Sequence, residues 1–162
     1  MIIRKAKKDD IDRIFEIHIQ SIKHGCKGFY TKKQIDAWLA DKKPEKYLDG
    51  IKKGSIFVAE IGGQVAGFVQ INQGVLIRLF VDPVVQGKNI GHSLLEYAIK
   101  KSKTRKKIIK VEVTLNAKGF YKKNGFIEKG ESYEKINNQK IPFIIMGRLI
   151  NSKSRTDPNA SK

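Results

Sequence analysis

A single cysteine, Cys26, stands in 162 residues, so neither an internal disulfide nor a cysteine-cluster zinc site can form. Histidine is scarce as well. His18, His24 and His92 are scattered with no partner ligands at metal-binding spacing, and no bound metal is expected. Long apolar runs are missing too. No stretch approaches the roughly 18 residues that a membrane helix requires, and Met1 to Asp9 lacks the apolar core of a signal peptide, so a cytoplasmic protein with no membrane partner is expected. The other shortage is acid: 16 Asp plus Glu face 33 Lys plus Arg, a formal net charge of +17. Such a field attracts nucleic acid and anionic small molecules. Yet the basic residues are spread along the chain. Lys100-Lys101-Ser102-Lys103-Thr104-Arg105-Lys106-Lys107 is the dense run, and it has no interleaved aromatic residues for base stacking and no helix-turn-helix, RNA-binding-sheet or zinc-finger signature beside it. Nucleic acid is therefore not expected as a partner, although a basic binding module remains the alternative reading.

What is present describes one globular domain. With 40% hydrophobic and 30% charged residues, residues 1–150 are long enough to bury a sizeable core, while residues 151–162 carry almost no apolar side chains and are expected to form a disordered tail. Ile2 to Lys5 reads as a short strand. Asp9 or Asp10 can cap a helix carrying Ile11, Ile14, Phe15, Ile17 and Ile22 at mostly helical spacing. Thr31 can cap a second helix through Ile35, Trp38 and Leu39, and Pro44 can open a third. The β-rich runs Ile56 to Ile61 and Val65 to Ile71 flank Gly62-Gly63, a hairpin signal, and Val75 to Val81 makes the next strand. Ile108 to Leu115 is a fifth strand. Asn116 can cap a short helix ending at Asn124-Gly125, and two last strands, about 126–133 and 141–149, turn at Asn137-Asn138.

The informative stretch runs from Leu79 to His92. An apolar strand stops at Asp82-Pro83, because proline removes a backbone donor and holds its predecessor extended, and Gly87, Asn89 and Gly91 are residues that can turn successive N–H groups inward. A helix follows, with Ile90, Leu94, Leu95, Ala98 and Ile99 on one face and lysines at its far end. Its first turn adds unpaired N–H donors and the positive dipole end, so this turn is expected to hold an anion such as a phosphate.

The order of these elements, the turn Gln86-Gly87-Lys88-Asn89-Ile90-Gly91, and Asn116-Ala117-Lys118-Gly119-Phe120-Tyr121-Lys122-Lys123-Asn124-Gly125-Phe126 together resemble the GCN5-related N-acetyltransferases, the GNAT superfamily. Asn89 stands where the family's turn usually has its first glycine. The resemblance implies an α/β (α+β) fold: a mixed, mostly antiparallel sheet of about seven strands, helices on both faces, and a splay between the fourth and fifth strands. It implies acetyl-CoA as co-substrate and transfer of its acetyl group to a primary amine of a small molecule, directly in a ternary complex. The backbone N–H groups of Gly87, Asn89, Gly91 and His92 would hold the pyrophosphate, with the Gln86 and Lys88 side chains close by. Val81 would pair with the pantetheine arm like an added strand, Asn116 would hydrogen-bond it, and Phe80, Ile90 and Phe120 would complete the cofactor surface.

The same resemblance assigns the chemistry. Leu79 N–H would point at the thioester carbonyl and stabilise the developing oxyanion. Tyr121 would act as general acid toward the departing thiolate, since a phenol is protonated at neutral pH. The strand Val75 to Val81 offers no carboxylate as base, and Glu112, which shares a strand face with Thr114 and Asn116, is the candidate. Arg78 would bind an anionic part of the substrate or form an ion pair. The segment before the hairpin forms much of the family's acceptor wall, which makes Phe29, Tyr30, Trp38 and His24 pocket candidates and favours a small aromatic or hydrophobic amine over a polyamine. A homodimer is left open.

Overall fold

The computed structural model describes residues 1–102 and 104–150, so Lys103 and the expected tail at 151–162 lie outside the described residues. Seven strands form one sheet in the order β1-β2-β3-β4-β5-β7-β6: β1 is Ile2–Lys5, β2 Ile56–Ile61, β3 Gln64–Asn72, β4 Val75–Val81, β5 Ile108–Val113, β6 Ile127–Ile136 and β7 Gln139–Leu149. Neighbours are antiparallel except β4 and β5, the parallel pair. Helices α1 (Ile11–Gly25), α2 (Lys32–Ala40) and α3 (Leu48–Lys52) precede β2, while α4 (Ile90–Lys101) and α5 (Lys118–Lys123) flank β5.

Local chemistry explains most boundaries. Gly62 and Gly63 both take positive φ in the β2-β3 turn, as do Asn137 and Asn138 between β6 and β7, the backbone that tight hairpins demand. Thr31 accepts the Gln34 N–H at 3.1 Å, and Gln34 returns the bond to the Thr31 N–H at 2.8 Å, a reciprocal cap that starts α2. Some expectations need correction. Asp10 lies at the start of α1, but its carboxylate does not cap the helix: it accepts from the Lys7 N–H and is paired with Arg4 at 2.8 Å. β5 stops at Val113 rather than Leu115, and Asn116 sits inside a 3-10 turn, Leu115–Ala117, instead of capping α5. Gly91 belongs to the first turn of α4 and has no positive φ; its role is steric, since an added Cβ would stand 3.1 Å from the Phe120 ring.

The sheet buries both faces. On one side Leu94, Leu95 and Ala98 of α4 pack on Val69, Leu76, Ile109, Val111 and Met146; on the other, Ile14 and Ile17 of α1 meet Tyr47, Val58 and Phe68, and Ile22, Trp38, Tyr30 and Phe143 form an adjoining cluster. The decisive irregularity is in β4. Its register with β3 runs from Gly67↔Val81 to Gln70↔Arg78, then resumes at Ile71↔Leu76, so Ile77 is an extra residue without a partner. This bulge coincides with the end of the β4-β5 pairing, which consists of Val75↔Lys110 and Leu76↔Val111. Beyond it the two strands part, giving the expected splay.

Candidate functional site

The bulge decides which backbone groups face the gap. Asp82 N–H donates to Ala66 O at 2.8 Å. Counting back by two along an antiparallel ladder, Phe80 and Arg78 bond to β3, while Val81 and Leu79 turn their N–H and C=O groups toward the splay. Two side chains already meet the Val81 carbonyl, Ser21 Oγ at 3.1 Å and Gln86 Nε2 at 3.2 Å, which leaves the N–H groups of Leu79 and Val81 toward the opening.

A cavity of about 660 Å³ occupies this opening and passes between the two faces of the sheet. Leu79, Phe80, Val81, Gln86, Gly87, Asn89, Ile90, Gly91, His92, Asn116, Phe120 and Tyr121 all line it. Lys88, the remaining residue of the expected cofactor set, is exposed and does not. At one end Gly87 (φ 81°) and Asn89 (φ 62°, ψ 13°) adopt the left-handed conformations the turn requires. Asparagine bears that backbone better than other residues with a side chain, which is why the replacement of glycine leaves the turn intact. Helix α4 then starts with no side-chain cap and no acidic residue in its first turn, so its N–H donors and dipole remain available to an anion. Asp82, the nearby acid, is held by Arg13 and accepts the Val84 N–H at 3.0 Å.

At the other end lies Tyr121, buried, its ring edge-on to Phe120 at 5.1 Å and Phe126 at 5.2 Å. Its hydroxyl has no hydrogen-bond partner among the described residues, and burial pushes the phenol's pKa well above its ordinary value. Such a group stays protonated at neutral pH, so its hydroxyl faces the cavity as a hydrogen-bond donor. Asn116 closes the wall: its Oδ1 accepts from Cys26 Sγ at 3.5 Å, and its amide lies where a side chain on Gly25 would stand. Burial also pushes the Cys26 thiol up to about 11, so it is a poor source of thiolate.

Residues not assigned to the site from the sequence complete the cavity: Ser21 and Gly25 of α1, Cys26 just after it, Thr114 and Ala117 after β5, and Lys123 and Asn124 at the end of α5. Asn124 Oδ1 lies 2.5 Å from His92 Nδ1, joining the α5 terminus to the start of α4. Ser21 had a signal, being a polar residue on the apolar face of α1 one turn from Ile17. Lys123 had none beyond its charge.

The other predicted site residues are not brought to this cavity. Glu112 lies on the α1 and α2 face of β5, exposed, accepting from Ser132 Oγ at 2.9 Å. Tyr30 is buried and saturated: its hydroxyl donates to Pro142 O at 2.7 Å and accepts the Leu115 N–H at 3.0 Å, and burial pushes its pKa up to about 12. Those bonds fold the α1-α2 connection across β7, away from the gap. Trp38 packs edge-on against Tyr30 and Phe143, each at 5.5 Å, as a core residue. Phe29 is exposed, and the exposed His24 meets its own helix through Gln20 O at 2.9 Å. Arg78 forms no ion pair among the described residues; it donates to Gln70 Oε1 and lies over the Tyr47 ring.

Comparison with known proteins agrees with this geometry. Residues 26–147 match the family model for the acetyltransferase (GNAT) domain. An uncharacterised N-acetyltransferase of Methanocaldococcus jannaschii is 31% identical over 142 residues, covering 78% of this chain but 61% of the relative, so the chain spans less than two thirds of that protein. The spermidine N(1)-acetyltransferase of Thermoplasma acidophilum is 29% identical over 140 residues, covering 76% of this chain and 86% of the relative. Among solved structures, the PaiA N-acetyltransferase of Thermoplasma acidophilum in complex with coenzyme A has a TM-score of 0.70 at 27% identity, covering 92% of this chain and 98% of that one.

Proposed function

The chain belongs to the acetyltransferase (GNAT) family, and from that premise we propose that it transfers the acetyl group of acetyl-CoA to a primary amine of a small molecule. The observation that carries this reading is one continuous cavity with an open helix N-terminus behind Gly87 and Asn89 at one end and the unpartnered Tyr121 hydroxyl at the other. The fit to a CoA-type ligand rests on those left-handed residues and the uncapped first turn of α4, which suit a pyrophosphate. The splayed backbone between them suits an extended amide-bearing arm.

Acetyl-CoA supplies an activated thioester. The residues of the chain orient it and manage charge. Gly87, Asn89 and the first N–H groups of α4 hold the phosphate end, with Lys123 and His92 at the same mouth. The Val81 N–H aligns the arm. The Leu79 N–H donates to the carbonyl oxygen of the acetyl group as negative charge grows there, an interaction worth about 3 kcal/mol in a preorganised site. As the amine nitrogen bonds to the carbonyl carbon and the C–S bond breaks, Tyr121 donates its proton to the departing sulfur; the nitrogen releases a proton to solvent, from which the phenolate is restored. Cys26 is the thiol in the cavity wall, and its raised pKa and bond to Asn116 argue for direct transfer in a ternary complex over a covalent acetyl-enzyme.

A panel of primary amines assayed for free CoA release tests the reading. Saturable release with at least one small amine is expected. Acetyl-CoA binding with no release from any amine on the panel would contradict transfer to a small molecule, and failure of acetyl-CoA to bind would contradict the whole assignment.

A further inference from the structure

Three of the half-buried arginines, Arg4, Arg13 and Arg148, each have a carboxylate: Arg4 has Asp10 and Glu60 at 2.8 Å, Arg13 has Asp82 and Glu16, and Arg148 has Glu96. Arg78, half-buried like them, has none among the described residues. Its guanidinium lies 5.1 Å from the Tyr47 ring centroid and gives one bond to the neutral Gln70, although a guanidinium carries five donors. Lys42 repeats the pattern. It is half-buried, its Nζ lies 5.9 Å from the Trp38 ring centroid, and it too has no ion pair among the described residues. The adjacent acid, Asp41, is held by Lys46 at 2.9 Å.

These cations act on the same space. Burial and the nearby charge of Arg78 lower the Lys42 pKa, partly offset by Asp41 and Glu134. Burial lowers that of Arg78, and the buried His18, bonded to Tyr47 Oη at 2.6 Å, is held far below its usual value by burial and by the charges of Lys42 and Arg78. Two half-dehydrated like charges around a neutral histidine cost stability unless an anion joins them.

Their position gives that anion a role. Arg78 directly precedes Leu79 in regular register with β3, and strand alternation turns the two side chains to opposite faces: Leu79 packs on the α4 cluster, whereas Arg78 reaches Tyr47 on the α1 face. On that face the β4-β5 splay is bordered by Arg78 on one strand and by the exposed Glu112 on the other. The cofactor's phosphate site lies at the start of α4, so an anion at Arg78 belongs to the acceptor.

Building on the amine-transfer reading above, we propose that Arg78 and Lys42 recognise a carboxylate carried by the acceptor, making the preferred substrate an amino acid-like amine and not a polyamine. A guanidinium matches a carboxylate with two parallel bonds, and the flexible ammonium adds a third contact. No covalent step beyond the acetyl transfer is involved.

The test uses matched amines assayed with acetyl-CoA: phenylalanine against phenylalaninamide, methionine against methioninamide, 4-aminobutyrate against 4-aminobutyramide, and spermidine. At least one acid should exceed its amide by about tenfold or more in kcat/KM, the discrimination coming from polar groups left unpaired by the amide. Arg78→Gln should collapse that ratio toward one, mainly through a higher KM for the acid, and Lys42→Gln, in the connection after α2 and outside every strand, should reduce it in the same direction independently of any folding defect at β4. Acetyl-CoA affinity, read by calorimetry, should be the same in native protein and both variants. Equal rates for acids and amides, preference for spermidine, or an acid-to-amide ratio unchanged in both variants would overturn the proposal while leaving amine acetylation standing. No turnover with any amine would remove the underlying reading and this proposal with it.

Discussion

A methyl group at position 91 would stand 3.1 Å from Phe120 Cε2 and 3.3 Å from Cζ, tighter than most carbon contacts, so the ring would have to give way by a few tenths of an ångström. Because the Phe120 ring is packed edge-on to Tyr121, displacement at Gly91 reaches the hydroxyl at the far end of the cavity. Gly91→Ala is expected to cost about 1–3 kcal/mol of folding stability by overpacking, read by urea unfolding, and to weaken acetyl-CoA binding; a silent substitution at both readouts would count against this packing. Tyr121→Phe keeps the ring and removes the proton. It should lower kcat by roughly 10²–10⁴ with an unaltered melting temperature, and unchanged turnover at every pH would end its assignment as general acid. Asn89 shows what a residue's identity discloses in advance: an asparagine followed by a helix pattern announced a left-handed turn, and its φ of 62° is that turn. Gly91 carried the opposite lesson. The same letter that permits positive φ also permits close approach, and only the position of the Phe120 ring distinguishes them.

Among the elements, the hairpins at Gly62-Gly63 and Asn137-Asn138 and the Thr31 cap were legible because their chemistry is local, whereas Asp10 and Asn116 are drawn to other partners and do not cap α1 and α5. The Ile77 bulge was not. Val75-Leu76-Ile77 is an apolar run whose alternation looks continuous, and the extra residue appears only when β3 supplies its register. The placement of Glu112 and Arg78 on one face, and the diversion of Tyr30 to β7, follow from that same long-range pairing and left no mark in spacing. Tyr30 therefore has an element-scale prediction. Tyr30→Phe leaves the Leu115 N–H and Pro142 carbonyl without their shared partner and should cost about 1–3 kcal/mol in chemical unfolding. Acetyl-CoA affinity should change little, since the ring does not line the cavity. A large loss of affinity with intact stability would place Tyr30 in the site after all.

For the molecule as a whole, charge and pH are the global variables. His18 is folded in its neutral form, its pKa held well below 6.5 by burial and by Lys42 and Arg78. The unfolded chain binds a proton there that the native state refuses. Stability from this site is therefore complete above about pH 6.5 and falls as pH drops below it, by up to about 1.4 kcal/mol per unit, until the folded pKa is reached. Urea unfolding between pH 5 and 7 should show that decline, and His18→Gln should flatten it; an equal slope in the variant would assign the acid sensitivity elsewhere. The net charge of +17 should draw an anionic cofactor to the α4 terminus, with affinity decreasing as salt rises.

Calorimetric titration of acetyl-CoA into the native protein and into Gly91→Trp tests the central claim most directly, because a side chain at position 91 would meet both Phe120 and Val81, where the proposed reading puts the cofactor. Saturable binding at one site in the native chain is predicted, with that binding abolished in a variant whose circular dichroism shows it folded. No binding to the native chain, or equal binding to a folded Gly91→Trp, would contradict it.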